Sequence, residues 1–117
     1  MKTYILLALV LVACSKQKTT TQDLVENKRW FCYKEVRPND TLNMNSRQYW
    51  FEARGGIFTD YDRYRGTYQI KRDTLLITFT NGTNVYYIER ITPDNLILVQ
   101  KTAKSSVNRK LYFDNGK

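Results

Sequence analysis

Apolar and polar residues alternate through the chain from Gly66 to Lys101. Tyr68 and Ile70 share one side of the first run, and Leu75, Ile77 and Phe79 one side of the next. The opposite positions carry Thr67, Gln69 and Lys71, then Thr74, Thr78 and Thr80, with Leu76 as the apolar exception. A period of two places one face of each strand against a core and the other in water. Turn signals at Arg72-Asp73, Asn81-Gly82 and Pro93-Asp94-Asn95 separate the runs. Residues 66–71, 74–80, 84–92 and 96–101 therefore predict a four-stranded antiparallel meander. Ile88 and Ile91 lie an odd number of positions apart, which predicts a bulge near Arg90.

The flanks continue the pattern. From Arg29, Trp30, Cys32, Lys34 and Val36 alternate with Phe31, Tyr33 and Glu35; aromatics on both sides leave the register open. Pro38-Asn39-Asp40 ends this strand, and residues 41–47 read as a polar loop. Residues 48–53 form a second strand with Tyr49 and Phe51 on one face. Arg54-Gly55-Gly56 is a turn with glycine at positive φ. Residues 57–61 make a third strand, and residues 62–65 lead into the meander. Residues 103–108 read as a loop before a last strand marked by Leu111 and Phe113. Ahead of all this, Asp23-Leu24-Val25-Glu26-Asn27 predicts one helical turn, capped by Asp23 or Thr21. Eight antiparallel strands with no internal helix predict an all-β fold, an up-and-down meander closing into a small eight-stranded barrel.

The N-terminus follows different rules. Lys2 precedes an apolar run from Ile5 to Ala13, too short to span a bilayer but suited to a secretory signal. Its end, Leu11-Val12-Ala13-Cys14, resembles the lipobox of bacterial lipoproteins. The resemblance implies that residues 1–13 are a cleaved signal peptide. Cys14 then becomes the first mature residue and carries a diacylglyceryl thioether with palmitate-type acyl chains. Residues 14–22 are then the lipidated cysteine and a polar tether reaching roughly 15 Å as a coil, and residues 23–117 are the barrel domain. Ser15, Lys16 and Lys18 do not match the acidic sorting signals that follow some lipidated cysteines. An outer-membrane anchor facing the periplasm is the expected location in a Gram-negative host.

This changes what the cysteines and the charge mean. Lipidation consumes Cys14 and leaves Cys32 as a single thiol between Phe31 and Tyr33, expected to be a small buried apolar residue. Cleavage removes Lys2 and lowers the net charge from +8 to +7, which would draw a tethered domain toward anionic headgroups, and no nucleic-acid partner is expected. Histidine is absent, removing the commonest general base and metal ligand. Asp60 and Asp62 flank Tyr61, but Arg63 and Arg65 beside them oppose a cation, so a solvated loop is expected. No cofactor, metal site or enzymatic activity is expected.

Four motif groups carry a family resemblance. They are Asp23-Leu24-Val25 with Trp30, and Tyr49-Trp50-Phe51-Glu52 with Gly56-Ile57-Phe58. Gly66-Thr67-Tyr68-Gln69-Ile70 is followed by Asp73-Thr74-Leu75, and Ile88, Ile91-Thr92 and Asn95-Leu96-Ile97-Leu98 complete the set. Together they resemble the small lipocalin-like lipoproteins of Bacteroidetes. The resemblance implies that the leading tryptophan closes the barrel bottom and that Gly-Thr-Tyr-x-Ile opens the meander. The chain departs from that pattern at Lys28-Arg29, before the tryptophan, and at Arg54-Gly55-Gly56 in the first hairpin.

Two binding modes follow. In one, Trp30, Tyr49, Phe51, Phe58, Tyr68 and Phe79 line the interior around a small apolar or amphipathic ligand, although so many large aromatics predict a mostly filled barrel. In the other, Arg54, Tyr61, Arg63, Tyr64 and Arg65 form a surface patch, joined by Lys71 and Arg72. That patch would engage an envelope protein as an inhibitor, immunity factor or accessory subunit.

Overall fold

The computed structural model describes residues 20–44, 47–102 and 105–116. The lipobox-like segment and Cys14 lie outside the described residues. Among the described residues, a short helix, α1 (Thr21–Val25), precedes nine strands. These are β1 (Arg29–Val36), β2 (Thr41–Asn43), β3 (Trp50–Arg54), β4 (Ile57–Asp60), β5 (Arg65–Lys71), β6 (Thr74–Phe79), β7 (Gly82–Ile91), β8 (Asn95–Thr102) and β9 (Ser105–Asp114). Every pairing is antiparallel, and β9 returns to pair with β1. β1 and β3 to β9 therefore form the closed eight-stranded barrel, and β2 is an extra strand on the last three residues of β1.

The meander forms as its alternation requires. Tyr68, Leu75, Ile77, Ile88, Leu96 and Leu98 are buried, whereas Thr67, Gln69, Lys71 and Thr78 face solvent. A register shift between Ile88 and Arg90 is the bulge that the odd spacing requires. Gly55 and Gly56 take φ of 55° and 83° in the β3–β4 turn.

Several local expectations differ. Residues 41–43 form β2 rather than loop, because β1 runs past the start of β3 and its exposed edge pairs with them. Residues 105–108 belong to β9, where ladder bonds to β8 hold a polar sequence that has no apolar alternation of its own. The β6–β7 turn is Thr80-Asn81, since Phe79 pairs with Gly82, and Asn95 already pairs with Asp114. The helix cap is Thr20, not Thr21 or Asp23. Its hydroxyl accepts from the Asp23 amide, and the Asp23 carboxylate accepts from the Thr20 amide.

β1 also resolves its open register. A shift between Cys32 and Lys34 sets one extra residue opposite β9. Trp30 and Cys32 point inward before it; after it the phase moves by one and Glu35 points inward.

Because each strand crosses the barrel, successive turns alternate between its two ends. α1, Gly55-Gly56, Arg72-Asp73 and residues 92–94 gather at one end, which is closed. Val25, Trp30, Leu75 and Leu96 are fully buried there. The Trp30 indole Nε1–H donates to the Val25 carbonyl at 3.0 Å, and the Asn27 amide donates to the Ala53 carbonyl at 2.9 Å. The other end, bounded among the described residues by residues 37–44, 47–49 and 61–64 and by Thr80-Asn81, is open.

Candidate functional site

The open end leads into a cavity of about 460 Å³. Toward the closed end its lining is Cys32, Ile77, Leu98, Leu111 and Phe113. Where a mostly filled interior is expected, the barrel keeps this space because its large rings, Phe51, Phe58, Phe79 and Phe113, pack on one another.

One wall is aromatic. Phe51 stacks on Phe58 with ring centroids 5.2 Å apart and meets Phe113 edge-on at 5.1 Å. Phe58 meets Phe79 edge-on at 5.9 Å. At the rim, Tyr49 and Tyr61 form another edge-to-face pair at 4.8 Å. Such tilted and offset contacts suit the ring quadrupoles and fix the wall's shape.

The facing wall is polar. Among the described residues, Glu35 is the buried charged side chain, at 5% exposure. Its carboxylate accepts from Arg37 Nε at 2.6 Å and lies 3.6 Å from Arg109 Nη1. Arg109 Nη2 donates to Gln100 Oε1 at 2.6 Å. Burial raises the Tyr86 hydroxyl above its ordinary pKa, while the neighbouring Arg109, to which it is hydrogen-bonded, pulls it back down. A second cleft runs over the rim past Tyr64, Arg65 and the β6–β7 turn, sharing Asp60, Phe79 and Asn84 with the cavity.

The sequence-derived residues divide between the two ends. Tyr49, Phe51, Phe58 and Phe79 border the cavity. Trp30 and Tyr68 do not: Trp30 is sealed beneath α1, and the Tyr68 hydroxyl donates to the Glu26 carboxylate below the cavity floor. The surface patch does not assemble. Tyr61, Arg63, Tyr64 and Arg65 stand at the open rim, while Arg54, Lys71 and Arg72 stand at the closed end, because one strand length separates alternate turns. Arg54 instead lies 3.9 Å from Glu52. Asp60 is a loop-builder: its Oδ1 accepts from the Asp62 and Tyr64 amides at 2.9 and 3.0 Å. Of the adjacent tyrosines, Tyr86 faces the cavity and Tyr87 faces solvent.

The adjacent Tyr86 and Tyr87 are expected from sequence to straddle both strand faces with one in the core, but Glu35, Arg37, Gln100 and Arg109 were not singled out. Two were within reach, since counting back by two from Phe113 and Leu111 arrives at Arg109, and counting on by two from Leu98 arrives at Gln100. Glu35 was not, because the bulge reverses the phase.

An eight-stranded antiparallel barrel, plugged at one end and hollow at the other, defines a calyx. A family model described as a lipocalin-like domain matches residues 16–98. The chain belongs to this lipocalin-like domain family. Among solved structures, a lipocalin-like protein from Bacteroides uniformis superposes with a TM-score of 0.61 at 12% identity, over 79% of this chain and 98% of that one. A deswapped triple mutant of bovine odorant binding protein gives a TM-score of 0.43 at 12% identity, over 80% of this chain and 74% of that one. No curated protein sequence matches the chain.

Proposed function

We propose that this is a non-enzymatic envelope lipoprotein, held to the membrane through Cys14, whose barrel takes a small amphipathic ligand into its open end. The observation that carries this reading is the cavity of about 460 Å³ with an aromatic wall opposite a polar one. That volume lies within the range of small-molecule sites, and its lining offers apolar contact area together with a few converging polar groups. The sequence Leu11-Val12-Ala13-Cys14 supports the anchor, with residues 15–19 as the tether, since Thr20 to Gln22 belong to the capped helix α1, and the periplasmic face of an outer membrane as the location. The absence of histidine supports a binding role over catalysis. The separation of Arg54 from Arg63 and Arg65 gives a protein-docking role less support.

Phenylnaphthylamine, a neutral dye that brightens in apolar surroundings, tests the reading. Native protein should enhance its fluorescence saturably. Leu111→Trp, which projects a larger ring from the half-buried cavity wall into the empty space, should abolish the enhancement while the far-ultraviolet spectrum is retained. Unchanged dye binding in that variant would place the dye elsewhere and remove the support for a calyx.

A further inference from the structure

We propose that the ligand is a compact amphipathic monoanion, an apolar and preferably aromatic body bearing one carboxylate or sulfonate group held between Arg37 and Arg109. This rests on the calyx reading and specifies the chemistry of that site.

Charge at the polar wall is unevenly shared. Two guanidiniums, Arg37 and Arg109, share the single Glu35 carboxylate, so these three side chains together carry one positive charge. Gln100 is neutral, and the Tyr86 hydroxyl keeps its proton at neutral pH. Two further carboxylates lie near: Asp40 acts on Arg37, and Asp60 acts on Tyr86 while its Oδ1 is turned to two amides of its own loop. Neither makes a hydrogen bond or ion pair with Arg109.

Donors are also in surplus. A guanidinium presents five N–H groups in a planar fork that fits an oxyanion. Among the described residues, Arg37 gives Glu35 only its Nε. Arg109 uses Nη2 on Gln100 and is hydrogen-bonded to the Tyr86 hydroxyl, and its Nη1 lies too far from Glu35 for a good hydrogen bond. The side chains are 44% and 38% exposed, so their remaining N–H groups are within reach of a solute. An anionic head group could take them up without breaking the Glu35 pair.

The cluster stands across the cavity from Phe51, Phe58 and Phe79, so a ligand bound to the arginines lays its body on the rings. A cation would meet two guanidiniums. A neutral ligand would gain only the apolar wall.

The test compares phenylnaphthylamine with anilinonaphthalene sulfonate, which has the same rings and adds one sulfonate. The purified protein should bind the anionic dye at least about tenfold more tightly, the scale of a charge-assisted contact. Arg109→Gln should remove most of that advantage and leave the neutral dye within about twofold. Arg37→Gln, at the exposed rim, should reduce the advantage without altering the fold. Raising the salt concentration should narrow the gap between the dyes. Equal affinities for native protein, or an Arg109→Gln variant that weakens both dyes alike, would overturn the anion site and leave the calyx standing. If neither dye binds, the calyx reading falls and the anion site with it.

Discussion

Trp30 is where one residue does most for the closed end. It is fully buried, and its indole nitrogen caps the carbonyl of Val25, which ties α1 to β1. Trp30→Ala removes a large ring and leaves that carbonyl unpaired. The expected cost is about 3–5 kcal/mol of stability, read as a lower urea midpoint. Two other buried groups set a pH limit. Burial pushes the Cys32 thiol from 9.0 up to about 11, and burial followed by the Glu26 hydrogen bond pushes the Tyr68 hydroxyl from 10.0 up to about 12. In both cases the folded state holds the proton more tightly than the unfolded chain. Their contribution to stability is therefore complete below pH 9 and is lost as pH rises toward about 12. The urea midpoint should fall progressively across that window, and Tyr68→Phe should remove the portion above pH 10. A midpoint that stays constant through the window would contradict these assignments. Single residues were legible where core and resemblance agreed, as at Trp30. They were illegible where charge lies inside, as at Glu35, because a carboxylate between Lys34 and Val36 reads as solvent-facing until its arginine partners are known.

Strands were easier to read than the places where they begin and end. The meander carried its own alternation, and the Ile88–Ile91 spacing announced its bulge. β2 carried no such signal, since all three of its residues are exposed and only the surplus length of β1 makes it a strand. The polar start of β9 was hidden for the same reason: ladder partners, not apolar period, define it. One element-level contact is open to a simple test. A Cβ on Gly66 would sit 2.4 Å from the Thr78 carbonyl oxygen and 2.9 Å from the Phe79 ring, so β5 and β6 could not keep their present separation. Gly66→Ala should destabilise the barrel by about 1–3 kcal/mol, measured by thermal or urea unfolding. It should also disturb Phe79, and with it dye binding. The cap makes a smaller contribution: Thr20→Ala removes the hydroxyl of the capping box and should cost about 1 kcal/mol, with fraying confined to α1 in amide exchange.

The whole molecule is a barrel with unlike ends. The closed end is built from fully buried apolar side chains under α1, and the open end holds the empty volume between rings and guanidiniums. The family match stops at Leu98, yet β9 closes the sheet against β1 and supplies Arg109, Leu111 and Phe113 to the cavity. The part of the chain outside the recognisable pattern thus contributes much of the site. Closure itself was legible from the strand count; the hollow was not, because composition reports how much aromatic volume exists and not whether it stacks on the walls or fills the axis. Native mass spectrometry of the protein purified from its own host tests the calyx most directly. The account predicts a discrete extra mass, lost on denaturation and missing from the Leu111→Trp variant. A clean unliganded mass, from a protein that also leaves phenylnaphthylamine dark, would contradict it.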